Sequence, residues 1–171
     1  SVCEEGTLTQ DPNVNAEPYA LKRSARLNVS NETMNKVSAV ARWALRDASG
    51  AVLEEGEEGV EASALSAVWL PEREFPNADP HANYFSYELW MEGKRESCGT
   101  ALFCAPKHFR FADPKLVLSV YGDEITVSAS AYARSVEIVC EDGDVLLSDN
   151  YFDLNADSRT IRVLRGRGEV F

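Results

Sequence analysis

The chain has 171 residues, with 17 Lys and Arg against 28 Asp and Glu, giving a formal charge of −11. Hydrophobic residues make up 44% and charged residues 26%, as in a folded soluble protein and unlike a disordered one. The length excludes a (β/α)₈ barrel of at least about 200 residues, no apolar run approaches the roughly 20 residues of a membrane helix, and the acidic balance argues against a nucleic-acid partner.

The first residue is Ser1, and no basic segment or apolar stretch of a signal peptide follows it, so a processed chain or an excised piece of something longer is expected. From there on helical periodicity is almost absent and period-2 alternation dominates. A short strand is expected at Val2–Glu5 and another where Ala25, Leu27 and Val29 alternate with Arg26, Asn28 and Ser30. The clearest strand spans 37–46, with Val37, Ala39, Ala41, Trp43 and Leu45 on one face and Ser38, Arg42 and Arg46 on the other. Asp47-Ala48-Ser49-Gly50 supplies a turn, Ala51 to Glu57 returns as a hairpin arm, and Val60 to Trp69 forms a longer extended stretch ended by Pro71. Residues 84–92 place Phe85, Tyr87, Leu89 and Met91 opposite Ser86, Glu88, Trp90 and Glu92; Gly93-Lys94 then turns into a strand over 95–104. About seven strands in just over 100 residues fit an antiparallel sandwich of immunoglobulin type.

Ala105-Pro106-Lys107-His108 reads as a junction, because proline cannot sit in a central strand. The pattern then restarts. Leu116, Leu118 and Val120 share a face up to a Gly122-Asp123 turn, and Ile125, Val127 and Ala129 alternate back. Further strands are expected at 135–141, 145–147, 150–154 and 159–164. The expectation is an all-β chain of two tandem immunoglobulin-like β-sandwich modules, residues 1–104 and a smaller, minimal or truncated one over 105–171.

Candidate chemistry is sparse. His81 and His108, in a loop and in the junction, have no Cys or His at metal-ligand spacing, and no nucleophile elbow or phosphate-cradling glycine loop occurs. Asp11, Asn13 and Asn15 imitate the start of a calcium loop, but Ala16 and Lys22 stand where that loop needs Gly and Glu. Asn28-Val-Ser30 and Asn31-Glu-Thr33 are glycosylation sequons with no supporting secretory context. Cys3, Cys98, Cys104 and Cys140 could form two disulfides. A domain of this size needs no such staples, and Cys140, in phase with Val136 and Ile138, reads as a free buried thiol. A reducing, cytoplasmic compartment is therefore expected. The clusters Glu54-Glu55 and Glu57-Glu58 read as solvated turns or polar strand faces rather than a glycosidase pair. No metal, no cofactor and no catalytic residue is expected. Trp43 belongs to the core face, whereas Trp90 lies on the polar face beside Glu88 and Trp69 ends a strand. An outward Trp90 fits an interface with another domain, cover between strands, or a sugar-stacking platform.

Four segments carry a family resemblance: Ser24-Ala-Arg-Leu-Asn-Val-Ser-Asn-Glu-Thr33, Val40-Ala-Arg-Trp-Ala-Leu-Arg-Asp47 followed by Gly50, Ala101-Leu-Phe-Cys-Ala-Pro-Lys-His-Phe109, and Ser148-Asp-Asn-Tyr-Phe-Asp-Leu154. In this order they resemble the immunoglobulin-like modules that follow the catalytic barrel in β-mannosidases of glycoside hydrolase family 2, over nearly the whole chain. The resemblance implies a non-catalytic C-terminal fragment whose parent hydrolyses terminal β-D-mannosides with two barrel glutamates that this chain lacks. The family's acid/base follows an Asn, yet Asn31-Glu32 falls in a turn between sandwich strands and does not inherit that role. The implied partner is the catalytic barrel of the same parent, with Trp90, Trp69, Phe109 and Phe111 as the expected inter-domain or sugar contacts. A carbohydrate-binding sandwich, holding a mannose-containing oligosaccharide on an aromatic platform, is the competing expectation.

Overall fold

A computed structural model of the chain describes residues 2–3, 23–140 and 145–166. The chain divides into two compact units, Ser1–Asp47 with Val52–Arg110 and Ala48–Ala51 with Phe111–Phe171. Apart from one short 3₁₀ turn at Pro106–His108, the regular elements among the described residues are β-strands. Fourteen occur in order among the described residues: β1 (Val2–Cys3), β2 (Ser24–Asn31), β3 (Val37–Asp47), β4 (Val52–Ala62), β5 (Ser66–Trp69), β6 (Arg73–Glu74), β7 (Asn83–Met91), β8 (Lys94–Leu102), β9 (Val117–Tyr121), β10 (Glu124–Ser128), β11 (Tyr132–Val136), β12 (Leu146–Leu147), β13 (Phe152–Asn155) and β14 (Ser158–Arg165).

In the first unit β2 carries β1 on one side, with β5 and β6 pairing along it, while the facing sheet runs β4-β3-β7-β8. The alternation in β2, β3 and β7 sends one set of side chains into the space between these sheets. Leu27, Val29, Trp43, Leu45, Phe75, Phe85 and Phe103 fill it. One row across the larger sheet is decisive. Gly56, Trp43, Tyr87 and Gly99 lie directly opposite one another on β4, β3, β7 and β8. Each aromatic ring spreads over the glycine on its outer neighbour. A Cβ on Gly56 would stand 2.7 Å from the Trp43 ring, and one on Gly99 would stand 2.6 Å from the Tyr87 hydroxyl. The glycines thus buy space for rings that any side chain would displace.

Two strand boundaries depart from the sequence expectation in this unit. The hairpin arm after Gly50 and the start of the next stretch are a single strand, β4, and the break falls later, at Ser63–Leu65, where Leu65 takes φ 51°. The glutamates and glycines of β4 hid its continuity, because alternation of Gly56, Glu58 and Val60 is not hydrophobic alternation. The β7–β8 turn is built from Glu92 and Gly93, both left-handed, rather than Gly93-Lys94. A two-residue turn with both φ positive matches the twist of the strands it joins.

The second unit places sheet β12-β14-β10-β9 beside the two-stranded sheet β11-β13. Its core gathers Ile125, Val127, Val136, Ile138, Phe152, Leu154 and Ile161. Here the third strand is Tyr132–Val136, not 135–141. A bulge with Ser135 at φ 53° shifts the register between Ala133 and Val136, so both face the core although three residues apart. Beyond it the alternation of Val136, Ile138 and Cys140 continues without a partner strand, apart from an isolated bridge at Cys140, whose thiol is free and half-buried rather than buried.

Gly56→Ala is expected to destabilise the first unit by about 1–3 kcal/mol through the enforced clash with Trp43. Gly59→Ala, where an added Cβ meets nothing within 4 Å, serves as the control. Urea unfolding followed by tryptophan emission distinguishes the two.

Candidate functional site

The residues singled out in the sequence fall into four places. Asn31-Glu32 lies where β2 ends, with Glu32 exposed just before the bend of Thr33 to Asn35. The Asn31 side chain is buried and serves as a hub. Its Nδ2 donates to the carbonyls of Asn35 at 2.8 Å, Ala62 at 3.2 Å and Ser63 at 2.8 Å. Its Oδ1 accepts from the Thr33 N–H at 3.0 Å and the Thr33 hydroxyl at 2.8 Å. One amide therefore ties the β2–β3 turn to the end of β4. A nitrogen held this way is no acceptor for a glycan, and the adjacent Glu32 is exposed.

His81 and His108 clip a loop to the junction within the first unit. His81 Nδ1 lies 3.1 Å from the His108 carbonyl oxygen, and the Arg110 N–H donates to the His81 carbonyl at 2.7 Å. The Arg110 guanidinium reaches Asp79 at 2.5 Å, and the His81 N–H reaches the other oxygen of that carboxylate at 2.9 Å. The His81 backbone bond and then Arg110 hold the Asp79 carboxyl below its usual range. Among the described residues, no group of three or more His, Cys, Asp or Glu side chains is gathered as a metal site. The calcium-loop imitation at Asp11, Asn13 and Asn15 lies outside the described residues.

Trp90 stands on the outer face of β7 in a charged array. Its Nε1–H donates to Glu88 Oε2 at 2.7 Å, Arg95 pairs with Glu88 Oε1 at 2.9 Å, and Arg42 stands over the indole at 5.1 Å. Arg42 in turn donates to Glu57 at 3.1 Å. Partial burial works to raise the pKa of Glu88, but the bonds from Arg95 and Trp90 and the nearby Arg42 charge outweigh it and hold the carboxyl below its ordinary value. Trp69 is exposed on the outer face of the other sheet with Arg26 over its ring at 5.0 Å. Phe109 is buried edge-on to Tyr84, with ring centroids 6.4 Å apart. Phe111 is exposed and stacks on Tyr132 at 5.8 Å in the second unit.

The Ser148–Leu154 segment gives each side chain a structural task. Ser148 Oγ accepts the Arg162 N–H at 2.9 Å, and Asp149 pairs with Arg159. Asn150 imitates a strand neighbour: its Oδ1 accepts the Ile138 N–H at 2.8 Å and its Nδ2 donates to the Ile138 carbonyl at 3.1 Å. Tyr151 donates to Glu137 at 2.6 Å, Phe152 enters the core, and Asp153 accepts the N–H of the bulged Ser135 at 2.8 Å.

Sequence reasoning missed the Asn31 hub and also Glu58. Glu58 is not on a solvated face: it pairs with Arg73, whose guanidinium lies 4.4 Å over the Trp43 ring. The signal was present in the register, since Glu58 follows Gly56 by two and therefore shares the inward face. Two clefts lie among the described residues, about 190 Å³ beside Leu27, Ser30, Tyr87, Glu88 and Ser97, and about 260 Å³ beside Ile138, Cys140 and Asn150. Both are below the roughly 300–1,000 Å³ typical of small-molecule sites.

Comparison with known proteins agrees with this structural character. The model of the mannosidase Ig/CBM-like domain matches residues 23–108. The chain belongs to that family. A mannosidase-type Ig-fold domain model matches residues 111–169. No curated protein sequence matches the chain. Among solved structures, a β-D-mannosidase from Dictyoglomus thermophilum is similar with a TM-score of 0.69 at 16% identity, over 85% of this chain and 20% of that one. The exo-chitosanase CsxA from Amycolatopsis orientalis is similar with a TM-score of 0.55 at 17% identity, over 85% of this chain and 22% of its own. The chain thus spans about a fifth of the length of these enzymes. At such identities the likeness is one of fold, and this mannosidase Ig-like pair shares it.

Asn31→Ala is expected to cost the first unit about 2–4 kcal/mol, since it removes the buried amide that ties Thr33 and Asn35 to Ala62 and Ser63; thermal or urea unfolding reads it. For Glu88 the sign runs with a depressed folded pKa: the stabilisation is present above the unfolded-state value and lost as pH falls through the lower folded one. Trp90 emission is expected to change in that acid window, below the ordinary carboxylate range, and Glu88→Gln removes the change.

Proposed function

We propose that the chain is a non-catalytic accessory portion of a β-mannosidase-like glycoside hydrolase of family 2, acting as a scaffold packed against the catalytic barrel of the same parent, which removes terminal β-D-mannose units. The observation that carries this reading is the tiling of residues 23–108 and 111–169 by two mannosidase-type domain models. The side-chain inventory supports it. The Asn31 amide of the Asn-Glu pair is consumed by a turn, and the carboxylates of Glu58, Asp79, Glu88 and Asp149 are each tied to an arginine. Paired in this way they lack the environment that tunes one carboxyl as an acid and frees another as a nucleophile. The outward aromatics Trp90 and Trp69 suit burial against another domain, each having a broad ring already fixed by an arginine.

The competing reading, a sugar-binding platform, is favoured by the same two outward indoles. Against it, the guanidinium over each ring occupies the position that a stacked pyranose would take on that face. The chain assayed on an aryl β-mannoside is expected to give no turnover; turnover abolished by Glu32→Gln would overturn the scaffold reading. Titration with manno-oligosaccharide to millimolar concentration is expected to leave tryptophan emission unchanged. A saturable shift lost in Trp90→Ala would instead establish the platform.

A further inference from the structure

The outer strand of the second unit's larger sheet carries no protection. β9 is the edge of the order β12-β14-β10-β9, so among the described residues one side of its backbone has no strand partner. Natural edges are blunted by charges, prolines or bulges, and an apolar, regular edge is a template for strand addition. Val117-Leu118-Ser119-Val120-Tyr121 contains none of these devices, and its pairing with β10 runs without a register shift. Leu118 packs against the core, but the other apolar side chains of the strand are open: Val117 is 63% exposed, Val120 52% and Tyr121 88%, and Leu116 just before it 48%.

We propose that β9 is a homodimerisation edge, at which two copies of this chain pair β9 antiparallel to β9 about a two-fold axis through Ser119. The register follows from the hairpin. Tyr121 and Glu124 are partners across the two-residue Gly122-Asp123 turn, with Gly122 at φ 62°. A turn of this length makes them a hydrogen-bonded pair, so Tyr121, Ser119 and Val117 direct their amides and carbonyls to β10. Leu118 and Val120 direct theirs outward. Pairing centred on Ser119 sets Leu118 of one copy against Val120 of the other, which exchanges those outward groups. The same register sets Val117 against Tyr121, both exposed on the outer face. At the strand ends it brings exposed Lys115 towards exposed Asp123 of the second copy, and the two-fold axis repeats that contact. The strand is thus self-complementary in backbone, apolar surface and charge, as a two-fold interface requires. A register displaced by two residues would lose the match of Lys115 to Asp123.

Sedimentation velocity of the 171-residue chain is expected to show a species of twice the 18.9 kDa monomer mass. The double substitution Val117→Lys with Tyr121→Lys, at exposed positions where folding is unaffected by circular dichroism, is expected to weaken dimerisation at least about tenfold. Lys115→Glu and Asp123→Lys each weaken it, and the two together restore it. Ser119→Cys is expected to give a disulfide-linked dimer under mild oxidation, because directly opposed residues of a non-hydrogen-bonded pair lie about 4.5 Å apart at Cα, within disulfide reach. A chain that stays monomeric at about 100 µM, or a dimer indifferent to the lysine pair and to the charge swap, overturns the proposal.

Discussion

The first unit depends on one aromatic: Trp43, set in a row that glycine alone can flank. Both sheet faces of the sandwich need a large apolar body at the centre, and Trp43 meets Phe75 at 5.9 Å and Phe85 at 6.3 Å between ring centroids. Such a ring is too wide for its own strand position. Gly56 beside it, and Gly99 beside Tyr87 in the same row, let both rings lie flat across the neighbouring strand. Glycine weakens a strand by itself, for want of a side chain to pack, and an aromatic laid across it replaces the missing contact. The ring carries a cost, since its buried Nε1 has no hydrogen-bond partner, a loss of order 1–3 kcal/mol. The guanidinium of Arg73 over the face of the same ring offsets part of it. Glu58 then neutralises Arg73, which explains a carboxylate on the inward side of β4.

The second unit meets a different constraint. Its smaller sheet has two strands, so backbone groups that further strands would satisfy need other partners. Side chains of one short segment provide them. Asn150 offers Ile138 both a donor and an acceptor, as a strand neighbour would. Asp153 accepts the amide left over by the Ser135 bulge, and Asp157 caps the following turn by accepting the Asn155 N–H at 3.0 Å. That turn has Ala156 at φ 59°, a left-handed position that glycine would occupy without strain. A motif dense in Ser, Asp and Asn thus does the work of a missing ladder and has no need of a ligand to explain it.

What was legible in the sequence follows from these constraints. Strands with hydrophobic alternation, β2, β3, β7 and β10, were read on the correct face, and Trp43 and Trp90 were assigned to core and surface as found. Period-2 reasoning works where one face is apolar and the other is not. It failed along β4, where the inward face is Gly56, Glu58 and Val60, because glycine accommodating a neighbour's ring carries no hydrophobic signal. It failed again at β11, where the bulge at Ser135 reverses the phase. The Asn31 hub was invisible for another reason. A sequon and an acid/base imitation are patterns of neighbours in sequence, whereas the role of Asn31 is set by carbonyls of Ala62 and Ser63 about thirty positions away.

The acidic balance also takes on a specific meaning. β4 is the edge of the sheet β4-β3-β7-β8, and it carries Glu54, Glu55, Glu57, Glu58 and Glu61. Four of these are exposed along the strand. A second chain laid against that edge would set like charges side by side, which opposes strand pairing. The opposite edge, β8, begins with Lys94, Arg95 and Glu96, again a charged rim. Much of the negative charge that first argued only against nucleic acid therefore insulates a sheet. This makes the composition of β9 informative, because one chain contains both a heavily charged edge and an uncharged one. Solubility of the chain as a whole would favour charge on both, so the difference calls for a local cause. An edge left apolar on a scaffold whose β4-β3-β7-β8 sheet carries charge on both of its edges is best explained as a surface that is covered when the protein is at work.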